Sequence, residues 1–510
     1  MHPQPTTHLI LGTRILQPYD QLAQLRDSLT EKERYLARID QRITQTRALL
    51  KHLVTERHKT QASIYCHREL LHPIRRIPLE LLQEIFISCL SNDQYLRPNP
   101  HKAPLSLTQV CTRWRQVSFA TPTLWSSLAI QLSKGHTQKR LCLIESWLSR
   151  SGCYPISLFA YLPSADDNFI AAFFHIFNSH RHHCRNLRLT LPHWCHVPLL
   201  SVLNLGMPVA KTLQIRFLPA NPGSLIPPPH QLIINRRSAP NLAVLQWSSP
   251  GLQPVILSVS FAHIHRLDVD YRLSIFDCLK IMRNCPDLVE CEFRAITEWD
   301  GQTDSDGVEQ PITLASLRSL ALHAHMTRSF GILFDHSTFP ALQALKVVDL
   351  TLEPGAGTWV QSSFDNFIAR SHCALQTLQL LNVLSTEQEL IQCLRWTSNS
   401  LVELRILDLK GIAIVKDGAL ELLTVKKNDS GEPLCVCPLL ESLKLGSSLS
   451  STDGVLANMV ESRWDPRLSR SPSSKTVSYL KSINPRLDTG NHPEDIKRLD
   501  ALRGKGLELS

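Results

Sequence analysis

The strongest constraint on the fold is an apolar pattern, φ-x-x-φ-x-φ, that recurs ten times between Cys184 and Leu445. Its last two apolar positions alternate, as a strand with one buried face requires. Helical sequence lies between several units, as in SSFDNFIARSH and TEQELIQCLRWTSN. Strand, turn and helix repeated in this way favour an α/β solenoid. The alternative is a mixed α/β domain in which the leucine spacing is accidental.

The ten units begin 22 to 36 residues apart and several follow a proline. They are Cys184/Leu187/Leu189, Ala210/Leu213/Ile215, Leu242/Leu245/Trp247, Ile264/Leu267/Val269, Leu288/Cys291/Phe293, Leu317/Leu320/Leu322, Leu342/Leu345/Val347, Leu375/Leu378/Leu380, Leu404/Leu407/Leu409 and Leu440/Leu443/Leu445. This layout is typical of an irregular leucine-rich-repeat solenoid, although the period varies and the usual asparagine is missing.

Composition and charge narrow the class of protein. The 510 residues are 43% hydrophobic and 19% charged, which predicts a folded chain. No apolar run approaches the roughly 18 residues that span a bilayer, and the N-terminus has no signal-peptide layout. The net charge of +9 comes from the two ends of the chain, so we expect neither nucleic-acid nor membrane binding. Fourteen scattered cysteines favour a reducing compartment, the cytoplasm and/or the nucleus.

A long helix is predicted near the N-terminus, because residues 21–66 contain neither proline nor glycine. Eight of ten heptad positions are apolar: Leu22, Leu25, Leu29, Leu36, Ile39, Ile43, Leu50 and Leu53, with Lys32 and Thr46 as exceptions. The pattern indicates a coiled coil. It leaves two alternatives open, a homodimer through residues 21–66 or a helix that folds back on its own domain.

Short helices with broad apolar faces follow between residues 71 and 130. IPLELLQEIF begins with Pro78, whose ring suits the first turn of a helix. VCTRW and TLW come after a polar loop from Ser91 to Pro104. These helices carry more large apolar residues than they can bury among themselves, so we expect a partner to cover part of them.

This segment resembles the F-box, the helical module that attaches substrate receptors to the Skp-type adaptor of cullin–RING ubiquitin ligases. The residues that match are Ile77, Pro78, Leu81, Leu82, Ile85, Phe86, Val110, Cys111, Trp114, Leu124 and Trp125. The order of helix, F-box-like segment and poor leucine-rich repeats is similar to that of F-box proteins abundant in mushroom-forming fungi. The resemblance implies a non-catalytic receptor in which these residues bind the adaptor. The Ser91–Pro104 loop is longer than the family's usual link.

The sequence therefore predicts an α/β chain of six parts. They are a disordered leader (1–20), a coiled-coil helix (21–70), an all-α F-box-like domain (71–130), a linking helical segment (131–183), the leucine-rich-repeat solenoid (184–450), and a polar tail with a capping helix (451–510). We expect that capping helix between Pro493 and Leu502.

We predict no catalytic residue, cofactor or metal. The chain lacks phosphate-binding, zinc-protease and serine-hydrolase motifs. A His/Cys-rich stretch from His175 to His196 has pairs at zinc-like spacing, but Cys184 already occupies an apolar repeat position. A solvated histidine-rich turn is therefore the preferred interpretation.

Residues that alternate with the buried ones should form a target-binding strand face. They are Arg266, Asp268, Asp270, Glu290, Glu292, Arg294, Lys346, Asp408, Lys410 and Lys444. If so, reversing the charges of Asp268 and Glu292 should weaken target capture and leave adaptor binding intact. The alternative function is a coiled-coil scaffold that has no ligase partner and buries the apolar helical face.

Overall fold

A computed structural model describes residues 19–132, 138–219, 239–249, 263–297, 311–325, 329–351, 359–409, 413–427, 433–446, 449–464, 477–487 and 490–509. The protein is mixed α/β and divides into two compact units, residues 1–82 and 83–510.

Fourteen α-helices lie within the described residues. They are α1 (Tyr19–Leu71), α2 (Leu79–Ser88), α3 (Leu107–Val110), α4 (Thr112–Phe119), α5 (Gln138–Arg150), α6 (Asp167–His180), α7 (His196–Leu203), α8 (Ile275–Arg283), α9 (Ser329–Asp335), α10 (Gln361–Ser371), α11 (Glu387–Trp396), α12 (Asp417–Leu423), α13 (Val455–Arg463) and α14 (Pro493–Arg503).

Eighteen strands are found in the same residues. They are β1 (Ser127–Gln131), β2 (Ile156–Tyr161), β3 (Cys184–Leu191), β4 (Thr212–Phe217), β5 (Val244–Ser248), β6 (Arg266–Asp270), β7 (Glu290–Thr297), β8 (Ile312–Thr313), β9 (Ser319–His325), β10 (Ser337–Thr338), β11 (Ala344–Asp349), β12 (Thr377–Leu381), β13 (Glu403–Leu407), β14 (Lys426–Lys427), β15 (Pro433–Leu434), β16 (Ser442–Gly446), β17 (Ser482–Pro485) and β18 (Glu508–Leu509).

The predicted N-terminal helix is confirmed as α1, which runs without interruption for 53 residues. Seven of its eight apolar heptad side chains are exposed: Leu22, Leu25, Leu29, Leu36, Ile43, Leu50 and Leu53. Ile39 is half-buried. A helix in water gains most of its stability from packing its apolar face, so these exposed side chains lack that contribution in the single chain.

The second unit is built on one parallel sheet of fourteen strands, in the order β1-β2-β3-β4-β5-β6-β7-β9-β11-β12-β13-β16-β17-β18. Within the described residues, each of these strands pairs with the sheet strands that precede and follow it along the chain. The residues predicted to be buried stand in register: Leu245, Leu267 and Cys291 are direct neighbours, and all three are buried. The remaining strands form two small ribbons, β8 with β10 and β14 with β15.

Helices joining the strands pack against the next helix along the chain, as α10 does on α9 and α11 does on α10. Their starts are fixed by side chains that accept otherwise unpaired N–H groups. Ser274 with Asp277 and Thr386 with Glu389 form capping boxes at the starts of α8 and α11.

The sheet extends beyond the predicted solenoid at both of its ends. Residues 131–183 were expected to link two domains, yet β2 alternates buried Ile156, Leu158 and Ala160 and pairs with both β1 and β3. Residues 451–510 were expected to be a tail, yet β17 and β18 extend the sheet. The predicted final helix is confirmed as α14, although β18 follows it. The leader and the Ser-rich segment 465–476 lie largely outside the described residues.

The long polar loop between α2 and α3 closes the first edge of the sheet. Ala129 of β1 donates its N–H to the carbonyl oxygen of Leu96 at 2.7 Å. Ser127 Oγ donates to the Gln94 carbonyl oxygen and accepts from the Leu96 N–H. An exposed edge strand invites pairing with other chains, and this loop covers it. None of the described helices has the length and hydropathy needed to cross a bilayer.

Candidate functional site

The F-box-like segment contains three short α-helices, α2, α3 and α4. The Pro78 carbonyl oxygen accepts the Leu82 N–H in the first turn of α2. The backbone of Cys111 is extended and separates α3 from α4, and its Sγ accepts the Trp114 N–H at 3.5 Å. Val110 and Trp114 therefore belong to different helices, whereas the sequence suggested one apolar helix face.

Burial divides the eleven predicted adaptor-binding residues into three groups. Leu82, Phe86, Leu124 and Trp125 are fully buried; Ile77, Cys111 and Trp114 are half-buried; Pro78, Leu81, Ile85 and Val110 are exposed. A side chain with no exposed surface cannot contact another protein in this conformation. Adaptor contact stays a prediction for the accessible residues, whereas the four buried ones offer no surface in this conformation.

Aromatic rings hold this support together. The Phe86 ring of α2 lies 4.8 Å from that of Trp114. Trp125 packs edge-on against Trp147 of α5 and donates its Nε1–H to the Ser118 carbonyl oxygen. Ring pairs at these distances add about 0.5–1.5 kcal/mol beyond their buried area. The packing leaves Ile85 44% exposed and Val110 60% exposed on the outside of α2 and α3.

The predicted strand face is largely a connected charge network. Arg294 donates to both carboxylate oxygens of Asp268, at 2.8 and 3.0 Å, and to Glu292 at 2.8 Å. Gln246 donates to Asp268 at 2.8 Å. His323 Nε2 lies 3.3 Å from Glu292 Oε1, and this contact is the main reason that the pKa of Glu292 lies below its usual value. Much of the acidic charge in the middle of the face is therefore internally paired.

Not every predicted strand-face residue is accessible. Asp268 and Asp408 are buried; Asp270, Glu292, Arg294, Lys346 and Lys444 are half-buried; Arg266 and Glu290 are exposed; Lys410 lies outside the described residues. The Asp268 side chain is only 8% exposed. Arg294 and Gln246 already occupy its carboxylate, so little of it remains for the predicted contact with a target.

Asp408 was predicted from a wrong register. The sequence pattern was assigned to Leu404/Leu407/Leu409, yet Leu409 is 56% exposed. Leu404 and Ile406 are the buried strand residues, since they pair with Leu378 and Leu380 of β12. The unit is therefore Leu401/Leu404/Ile406, and its outward residue is Arg405. Sequence reasoning missed Arg405 because it favoured leucine over the equally apolar isoleucine.

A cavity of about 970 Å³ opens where the α2–α3 loop meets the first strands. Tyr95 of the loop and Phe159 of β2 have ring centroids 5.7 Å apart, and the Arg188 guanidinium lies 5.5 Å from the Phe159 ring. Arg97, Lys102 and Arg188 line the cavity with Asp93 as the acidic residue. This end of the strand face is basic and has room for side chains of a polypeptide.

The histidine-rich stretch is only partly the solvated turn that its sequence predicts, because His183 and His196 are buried. Cys184 and Cys195 are buried in the core. His183 Nδ1 lies 3.1 Å from His182 Nε2, and its ring lies 5.4 Å from that of His180. Burial, followed by the charges of His182 and His180, lowers the pKa of His183 to about 4.

This shift predicts a loss of stability in mild acid. The unfolded chain binds a proton at His183 near pH 6.5, whereas the folded chain does so only near pH 4. We expect the free energy of unfolding to fall by on the order of 3 kcal/mol across that window. Urea unfolding at pH 7 and pH 4.5 should show that the lower pH reduces the free energy of unfolding less in His183→Asn than in the wild type. His175→Asn is the control, since His175 is exposed. If the free energy of unfolding fell equally with pH in His183→Asn and in the wild type, His183 would not be the group responsible.

Among the described residues, one group of potential metal ligands converges: Asp453, His492 and Asp495. Asp453 accepts the N–H groups of Glu494 and Asp495 at the start of α14. Asp495 accepts the Ala457 N–H of α13 and lies 3.1 Å from His492 Nδ1. These contacts are mutual helix caps, which account for the cluster without an ion.

Comparison with known proteins adds no assignment. No protein-family model matches this chain, and no curated protein is significantly similar to it.

Proposed function

We propose that this protein is the substrate-recognition subunit of an SCF-type cullin–RING ubiquitin ligase. In this proposal the F-box-like helices bind a Skp-type adaptor, and the outward face of a leucine-rich-repeat solenoid binds a target protein. The chain contributes no catalytic group; it brings the target close to the ubiquitin-conjugating enzyme. The proposal rests on the sequence resemblance and on the surface that the short helices leave exposed.

The observation that carries the proposal is that Ile85 and Val110 are exposed, although Phe86 next to Ile85 packs against Trp114. α2 buries Phe86 and leaves Ile85 in solvent, and α3 buries Leu107 and leaves Val110 in solvent. α2 also exposes Leu81. Apolar side chains clustered on short helices are typical of a protein-binding surface. The scaffold interpretation would bury five residues of this face; Leu81, Ile85 and Val110 are exposed, Trp114 is half-buried and Phe86 is buried.

The strand face supports the second half of the proposal. Its side chains come from fourteen neighbouring strands and are mostly polar, so it offers one long surface to a partner. Repeat proteins commonly bind other proteins on such extended sheets.

Calorimetry with a purified Skp-type adaptor and the full chain tests the proposal. We expect Ile85→Asp and Val110→Asp each to weaken binding by about 2 kcal/mol or more, roughly thirtyfold, because a charge enters a desolvated contact. Leu205→Asp is the matched control, since Leu205 is 58% exposed on another part of the chain. Circular dichroism should show all three variants folded. Equal affinity in all proteins would mean that the adaptor binds elsewhere.

The alternative is a scaffold that dimerises through α1. The exposed heptad residues of that helix favour it, because a second copy would bury them. A folded wild-type chain that does not bind adaptor and is dimeric by light scattering would support this alternative. A receptor can also dimerise, so dimerisation by itself does not exclude adaptor binding.

A further inference from the structure

Four polar side chains meet near the C-terminal end of the strand face. Arg405 of β13 is directly opposite Lys444 of β16, which is opposite Asn484 of β17. Neighbouring strands are about 4.8 Å apart, so these side chains form one short row. Arg486 follows β17, and its N–H donates to the Gly446 carbonyl oxygen at 3.3 Å. Together with Gly446 they line a cavity of about 130 Å³.

The charges around this cavity are unbalanced. Lys444 Nζ lies 3.1 Å from Glu403 Oε1. The guanidinium groups of Arg405 and Arg486 have neither an ion pair nor a hydrogen bond with any residue that the structure describes. Like charges directly opposite in a sheet repel each other. Glu403 neutralises Lys444, so the guanidinium groups of Arg405 and Arg486 carry the excess positive charge that favours an anion in the cavity.

Gly446 lines the cavity at a position that no residue with a Cβ fits without displacing Leu407. Its φ is +51°, and a Cβ at this position would lie 2.3 Å from Leu407 Cδ1. The strand register shifts between Lys444 and Gly446. Glycine inside a strand often occurs where another group approaches the backbone closely. A larger residue here would displace Leu407, which also lines the cavity.

We propose that Arg405, Lys444, Asn484 and Arg486 bind a phosphate group. Guanidinium groups donate two parallel hydrogen bonds to phosphate oxygens, and the ammonium and amide groups add further donors. At about 130 Å³ the cavity is well below the 300–1,000 Å³ of typical cofactor sites, so it fits a single small anionic group. The site goes beyond adaptor binding and exists whether or not the protein serves a ligase.

Thermal unfolding of the full chain in sodium phosphate, against sodium chloride at equal ionic strength, tests the site. We expect phosphate to raise the Tm of the wild type. Arg405→Gln/Arg486→Gln should require at least tenfold more phosphate for the same rise, because two charge-assisted contacts are lost. Lys211→Gln/Arg216→Gln removes two exposed charges around β4 and should respond like the wild type. Without phosphate, the first double variant should be no less stable than the wild type, because repulsion is relieved.

The proposal would be overturned if phosphate and chloride changed the Tm of the wild type equally. It would also be overturned if phosphate raised the Tm of all three proteins by the same amount. O-phospho-L-serine, with L-serine as control, identifies the source of the group. If O-phospho-L-serine raises the Tm, the site recognises a phosphorylated side chain. If inorganic phosphate raises the Tm and O-phospho-L-serine does not, the site binds a free anion. Both results keep the phosphate site, and neither depends on adaptor binding.

Discussion

Replacing Arg463 by alanine is expected to lower the free energy of unfolding by about 3–5 kcal/mol. Arg463 lies at the end of α13 and is fully buried. Its guanidinium donates to the carbonyl oxygens of Leu423 at 2.6 Å, Val436 at 2.7 Å and Cys437 at 3.0 Å. Each buried group left without its partner costs about 1–3 kcal/mol, and the shortened side chain also leaves a cavity.

The reason for so large an effect is that one side chain satisfies three backbone groups from two segments. It joins the end of α12 to the chain that leads into β16. Burial lowers the pKa of Arg463, yet guanidinium remains charged at any ordinary pH. Arg463→Lys should recover only part of the loss, because an ammonium group cannot reach three acceptors in one plane.

Denaturant unfolding combined with hydrogen exchange would test this prediction. Peptides from α12 and β16 should exchange faster in Arg463→Ala, whereas peptides from β6 and α8 should be unchanged. Arg503→Ala is the control, since Arg503 is exposed on α14. An unfolding free energy within about 0.5 kcal/mol of the wild type would contradict the role assigned to Arg463.

Reversing the charge of Asp268 is expected to destabilise the protein by about 3 kcal/mol or more. The carboxylate is held by both nitrogens of a bidentate Arg294 contact and by Gln246. A lysine there would place a second cation beside Arg294 in a nearly buried position, and breaking such a pair typically costs 3–5 kcal/mol. The sequence alone suggested instead that this reversal would affect target capture only.

Glu290→Lys provides the matched control for Asp268→Lys. Glu290 also faces outward, and it pairs with Arg266 at 3.2 Å, but both side chains are at least half exposed. Exposed pairs contribute about 0–1 kcal/mol, so urea unfolding should barely distinguish this variant from the wild type. The single and double alanine variants of Asp268 and Arg294 would give the coupling energy directly. If Asp268→Lys were as stable as the wild type, the network would have no structural role.

Much of the fold follows from the sequence because alternating apolar residues identify a buried strand face. Nine of the ten repeat units have the predicted register, and the unit at Leu404 fails because Ile406 carries the same chemistry as leucine. β2 was missed although Cys153, Ile156 and Leu158 have the spacing of the pattern; in the structure Cys153 is exposed. Short strands such as β18 contain too few residues to show any period.

The candidate sites were harder to predict because they depend on which side of an element packs inward. IPLELLQEIF is apolar on several sides, and its sequence does not show that Phe86 packs on Trp114 while Ile85 stays exposed. The pairing of Arg294 with Asp268 joins two strands across 26 residues. Arg463 was missed because buried arginines are rare and nothing local in VLANMVESR distinguishes it from a surface residue.

The order of the strands has a consequence for how such a chain changes over evolutionary time. Within the described residues, every strand of the large sheet pairs with the sheet strands before and after it in the chain. A unit of one strand and one helix can therefore be gained, lost or duplicated while the pairing of distant units stays the same. The length of the outward surface is set by the number of units, whereas its chemistry is set by the few side chains that each unit contributes. Descendants of one such gene can thus diverge in what they bind without first evolving a new core.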